Sequence, residues 1–201
     1  MIYDPNPSRD GIKWTAHALV EKYDEPIVRD LTKFLGYEPK SADFKRFSIK
    51  PNAVAEAPGN LLCINGLANM TNLITGLGGQ ALNSTRTFLG VGATSTAATA
   101  ADTALGANGG SAWYQVVDSA PTRTTTSQTN DTIQTVSTFT SANGNFAWQE
   151  WGLGFTTAAI TSSATLASVG TGAALINHKI ASLGTKASGA AWAFTVTIQL
   201  S

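Results

Sequence analysis

Hydrophobic positions repeat with a period of two at one end of this chain and with a helical period near the other. Trp192, Phe194, Val196, Ile198 and Leu200 alternate with Ala193, Thr195, Thr197 and Gln199. That alternation predicts a strand with one face on a core and the other on solvent or a neighbour. Ile27, Leu31, Phe34 and Leu35 instead share one helical stripe. Asp24-Glu25-Pro26 supplies the start, with Asp24 as cap, Pro26 in the first turn and Glu25 at the positive end of the dipole. Gly36 supplies the stop. The spacing predicts a helix over residues 25–35, and Ala16, Leu19, Val20 and Tyr23 predict another over residues 13–23.

From residue 37 to residue 60 the periodicity dissolves around Pro39, Pro51 and Pro58, and aromatic and basic residues cluster at Phe44-Lys45-Arg46-Phe47. A stretch of this kind either wraps its own chain or lies on a neighbouring subunit. Leu67, Met70, Leu73, Ile74 and Leu77 return to helical spacing before Gly76, Gly78 and Gly79, so one short helix opens the remainder. Strands are expected at 88–92, 112–117, 132–140, 145–153 and 173–183. In Gly90-Val91-Gly92 the alternate glycines point to crowded packing on one face. The Thr-, Ser- and Ala-rich tracts 93–104, 121–131 and 156–172 read as long polar connections or edge strands, with a short helical turn near 97–105. Five to seven strands with no alternating helices predict a mainly β protein, an antiparallel β-sandwich of jelly-roll type.

Charge divides the chain differently from hydrophobicity. Of 26 charged residues, 18 precede residue 61, nine of each sign. This predicts a charged, partly helical N-terminal arm, residues 1–60, and a weakly charged β-sandwich body, residues 61–201. Balanced charge argues against nucleic acid as a partner. No window reaches the ~18 apolar residues of a membrane span, and the N-terminus has no secretory pattern, so the expectation is a chain made in the cytoplasm with no membrane partner. On the arm, Trp14, Tyr23, Phe34, Tyr37, Phe44 and Phe47 are the candidate interface anchors.

Candidate chemistry is sparse. The lone Cys63, between Leu62 and Ile64, reads as a small buried hydrophobe. His17 and His178 are far apart, and no ligand spacing suggests zinc. Glu150 lies among Phe146, Trp148 and Trp151, a setting that would suit a glycosidase if a second carboxylate stood nearby. The expectation is instead that Glu150 faces solvent or pairs with Lys179 or Lys186. No nucleophile elbow accompanies the abundant serines, and His178 is expected on one face of a strand with Lys179 on the other. The sequence therefore predicts no enzyme, no catalytic residue, no cofactor and no metal.

Four segments together resemble virion proteins of tailed bacteriophages. They are Phe88-Leu89-Gly90-Val91-Gly92-Ala93-Thr94-Ser95-Thr96-Ala97-Ala98, Asn145-Phe146-Ala147-Trp148-Gln149-Glu150-Trp151, Ile176-Asn177-His178-Lys179-Ile180-Ala181-Ser182-Leu183-Gly184-Thr185-Lys186, and residues 192–201. Related proteins often carry Asp where this chain has Ala93 and Arg where it has His178. The resemblance implies a structural component of the phage particle, assembled in the host cytoplasm. Its implied partners are copies of itself, as a homotrimer, and other virion proteins such as the major capsid protein. A capsid decoration or cement role through the arm is the first expectation; a tail-fibre or baseplate part touching host glycans is the alternative, and a glycan-degrading enzyme the third.

Overall fold

A computed structural model describes residues 14–59, 61–127 and 130–200, so the first 13 residues of the expected arm lie outside the described residues. Along the chain run β1 (Trp14–Tyr23), α1 (Glu25–Leu35), α2 (Ser41–Arg46), β2 (Ala53–Pro58), β3 (Leu61–Leu62), α3 (Ile64–Thr75), β4 (Thr87–Gly92), a 3₁₀ turn (Gly109–Ser111) and β5 (Ala112–Val116). They continue with β6 (Thr122–Ser127), β7 (Asn130–Phe139), β8 (Ala147–Phe155), α4 (Leu166–Val169), β9 (Ala174–Thr185) and β10 (Ala191–Leu200). Two five-stranded antiparallel sheets result, ordered β2-β1-β10-β7-β6 and β3-β9-β8-β4-β5, and they form a β-sandwich.

Alternation in β10 and β1 builds one wall of the core. Phe194, Val196 and Ile198 point inward from β10, beside Ala16, Ala18 and Val20 of β1, all 3% exposed or less. Leu89, Val91, Trp151, Leu153 and Ile176 meet them from the other sheet. Trp148 stands at the aromatic centre, 4.6 Å from the Phe139 ring and 4.8 Å from that of Trp192. Its indole N–H donates to the Gly144 carbonyl at 2.8 Å, so this large ring is buried with its one polar atom satisfied.

The segment 13–23 is a correction. It forms a strand where helical spacing predicted a helix, because Ala16, Ala18 and Val20 alternate with His17, Leu19 and Glu21 and all ten residues of β1 pair with β10, from Trp14↔Leu200 to Tyr23↔Ala191. β2 pairs with the other edge of β1. Charge thus marks no boundary at residue 60: the charged segment supplies two strands of the first sheet, and among the described residues its charged side chains are half-buried or exposed.

Helix α1 spans the predicted residues and ends at Gly36 in the left-handed conformation, φ 77°. Asp24 stands at the cap position without a capping side-chain bond. Pro26 removes one of the two amides its carboxylate could reach, and the Asp24 N–H itself donates to Asn52 Oδ1 at 3.1 Å. Both α1 and α2 cover the outer face of the first sheet. Tyr23 and Phe44 stack there at 3.7 Å, almost parallel, with Val28, Leu31, Ala191 and Ala193 around them. Polar ties hold α2 in place: Ser41 N–H donates to Thr138 Oγ1 at 2.8 Å, and the Thr138 hydroxyl donates to half-buried Asp118 at 2.5 Å.

Two long connections cover the outer face of the second sheet. Leu105 and Ala107 from the β4–β5 connection and Val169 from the β8–β9 connection pack with Cys63, Phe88, Tyr114 and Leu175. The first connection is otherwise irregular, with a turn where a helical one was expected near 97–105. Edge strand β6 falls within the Thr-rich tract 121–131, as its β-branched content predicted.

Phe44→Ala is expected to cost about 3–5 kcal/mol, since it removes one partner of a fully buried stack. Phe47→Ala, at a side chain 36% exposed, should cost under about 1 kcal/mol. Urea unfolding of the two variants checks the contrast; equal losses would mean that α2 is not anchored by the stack.

Candidate functional site

Glu150 of β8 is wholly buried, against the expectation that it faces solvent or meets a lysine. Its place follows from β pairing: Glu150 lies opposite Gly92 of β4, and a Cβ at Gly92 would collide with the carboxylate. Gly90, two residues earlier, similarly makes room for the Tyr114 ring. The alternate glycines therefore mark crowded packing, as predicted, and part of what crowds them is an acid.

Three groups complete the Glu150 carboxylate. The Gly106 N–H donates to Oε2 and the Ala107 N–H to Oε1, both at 2.8 Å. His178 Nε2, from neighbouring β9, lies 2.8 Å from Oε2. The other ring nitrogen, Nδ1, lies 2.6 Å from Asp102 Oδ2. Asp102 is itself tied by Thr99, whose N–H and hydroxyl donate to it at 2.8 and 2.6 Å. An acid, a histidine and an acid thus form a line from the sheet to the β4–β5 connection.

Two acceptors on two ring nitrogens fit the doubly protonated imidazolium. Burial works against charge on His178, but the hydrogen bonds it donates to Glu150 and Asp102, with their negative charges, outweigh it and raise its pKa above the ordinary 6.5. For Asp102, desolvation acts upward, yet the Thr99 and His178 bonds prevail and hold it below the ordinary 3.8. His178 is 2% exposed, and only the Asp102 side chain, at 25%, reaches the surface. There it borders a cavity of about 280 Å³ lined also by Thr96, Ala97 and Leu105. Both ring nitrogens are occupied and all three bonds to Glu150 are made within the chain, so the arrangement ties β8, β9 and the β4–β5 connection together.

Lys186 does not meet Glu150. Its buried ammonium donates to the Thr140 carbonyl at 2.7 Å and to Asn145 Oδ1 at 2.6 Å, and burial lowers its pKa to about 8. Cys63 is fully buried, as expected, and burial pushes its thiol up to about 11, well away from thiolate chemistry. Among the described residues no group of three or more His, Cys, Asp or Glu is arranged to hold a metal, and no helix is long and apolar enough to cross a membrane.

The six aromatic anchors divide. Tyr23 and Phe44 belong to the chain's own core and have no surface to offer, a correction forced by the stack described above. Trp14 is half-buried and lines an apolar groove of about 450 Å³ with Met70, Leu73, Ile74 and Leu200. Phe34, Tyr37 and Phe47 are exposed at 72%, 51% and 36%. Phe34 and Phe47 meet edge to face at 5.4 Å, and with Ile27, Leu31 and Ile49 they line a shallow groove outside α1. A second apolar surface lies on α3. Ile64, Leu67, Leu73, Ile74 and Leu77 on and after α3 are all exposed, Ile74 by 86%; their helical spacing was visible, but which side faced the body was not.

His178→Ala is expected to cost about 3–5 kcal/mol, because it strands two carboxylates that share one buried cation. The stabilising contribution of His178 is complete below pH 6.5 and fades as pH rises through its raised pKa; that of Asp102 is complete above pH 3.8 and fades as pH falls through its lowered one. Wild type and variant should therefore differ most between those two values, which urea titrations across pH would detect. In the native protein Cys63 should resist iodoacetamide at pH 8 and react only on unfolding; rapid native labelling would show that the thiol is reachable. No protein-family model, curated protein or solved structure matches this chain.

Proposed function

We propose that this chain is a structural component of a tailed-bacteriophage particle, a decoration or cement protein on the capsid. The observation that carries the reading is exposed apolar surface. Five Leu and Ile side chains stand in water on and beside α3, and Phe34 and Phe47 form a second patch outside α1. Contiguous surface of this kind marks contacts with other proteins. The segments that resemble virion proteins supply the class of assembly, and they fall largely on β4, β8, β9 and β10, the framework of the sandwich.

In this reading the capsid contact uses Phe34 of α1, Tyr37 of the α1–α2 connection and Phe47 just after α2, side chains of the expected arm that remain outside the core. Basic Lys45 and Arg46 are adjacent, with the Arg46 guanidinium 5.3 Å from the Phe47 ring, an arrangement suited to an interface rim. A glycan-cleaving role is the weaker reading, because Glu150 is sealed beneath Gly106 and Ala107 and its near partner is a histidine.

Cryo-electron microscopy of purified particles carrying a labelled copy tests the assignment. Label over the capsid is the expected result, and Phe34→Ser with Phe47→Ser should lower occupancy by at least about tenfold, as loss of interface anchors does. Label confined to the tail tip would replace the cement reading with the tail one, and absence from particles would overturn both.

A further inference from the structure

The exposed residues of α3 follow a pattern of their own. Ile64, Leu67, Thr71 and Ile74 are spaced by three, four and three residues, all on the helix face turned away from the sandwich. The opposite face carries Gly66, whose missing side chain lets α3 lie directly on the Ile176 backbone, and buried Asn69. Three-four spacing is the seam by which one helix packs along another. On this helix the seam is aimed outward.

The seam's one polar member, Thr71, and neighbouring Thr75 both spend their hydroxyls inside the helix. The Thr71 hydroxyl donates to the Leu67 carbonyl at 3.0 Å, and the Thr75 hydroxyl to the Thr71 carbonyl at 2.8 Å. Both hydroxyls have partners within the helix, so a dry contact along the seam would leave neither donor unmatched. No charged residue occurs between Glu56 and Arg86.

We infer that copies of this chain associate through α3, helix against helix along the Ile64–Leu67–Thr71–Ile74 seam. In a symmetric contact each surface meets its own kind, which sets like charges against each other on a charged face and costs nothing of that sort here. Size is consistent with this occupant. The exposed aliphatic side chains amount to a patch on the order of several hundred Å², at the upper end for a free monomer, and two such patches make the apolar centre of a standard interface of about 1,200–2,000 Å². Continuity points the same way: Met70, Leu73 and Ile74 also line the groove beside Trp14, which gives the protruding side chains of the second copy a place to enter. The inference stands on the helix itself and does not require the particle assignment.

Sedimentation and light scattering of the full chain near 10 µM, above a Kd of about 1 µM, test it. The expected mass is a multiple of the monomer's, falling to the monomer's in Ile74→Glu. Because Ile74 is 86% exposed, that variant should keep the wild-type circular dichroism and melting curve, so loss of mass reports association and not unfolding. Thr71→Cys, at the middle of the seam, should give a disulfide-linked pair under mild oxidation, with buried Cys63 as the unreactive internal control. A monomeric wild type would overturn the inference. So would an oligomer that survives Ile74→Glu but is dispersed by Phe34→Ser, which would place the self-contact on the aromatic patch.

Discussion

A carboxylate withdrawn wholly from water must be compensated atom by atom, and the second sheet is organised around that requirement at Glu150. Burial of an unpaired charge costs several kcal/mol, so the chain brings two backbone amides and an imidazolium to it. Each has a structural consequence. The amides of Gly106 and Ala107 fix the course of the connection that lies across the sheet. The imidazolium needs a second anion, and Asp102 occupies that position from the same connection. Gly92 has no side chain because the carboxylate fills the space. A single buried acid thus accounts for a glycine in β4, a histidine in β9 and the path of a long loop between β4 and β5.

Much of the fold was legible from local pattern. Helix α1 and strand β10 were read with nearly their observed limits because a start signal, a stop and a sustained period agreed within one short window. Strand β1 was misread because Ala16, Val20 and Tyr23 satisfy a helical stripe while Ala16, Ala18 and Val20 satisfy a strand; only pairing with a partner almost the full length of the chain away decides between them. The charge gradient was real but reported solvent exposure on one covered sheet and not a separate arm. The Asp102–His178–Glu150 line was invisible for a related reason. Its members are 28 and 76 residues apart, so each appeared as a lone residue in an apolar setting. The one local sign was Gly90-Val91-Gly92, which disclosed crowding without naming what crowded it.

The surface is unequal in chemistry as well as in charge. Helices α1 and α2 carry acids and bases around a small aromatic patch, whereas α3 and its flanks carry no charge at all. Contacts made by the first kind of surface depend on ionic strength and orientation; contacts made by the second are governed by shape and temperature. A protein bearing both can join two different neighbours without either contact competing for the other's chemistry.

Strand β10 occupies the middle of the first sheet, between β1 and β7. β1 precedes β10 by the whole length of the second sheet, so β1 waits through the synthesis of both covering layers and that entire sheet before its central neighbour exists. During that interval the apolar stripe Ala16-Ala18-Val20 has only β2 beside it. A topology of this kind folds slowly and late, and until β10 arrives the unfinished sheet presents an edge open to wrong pairing.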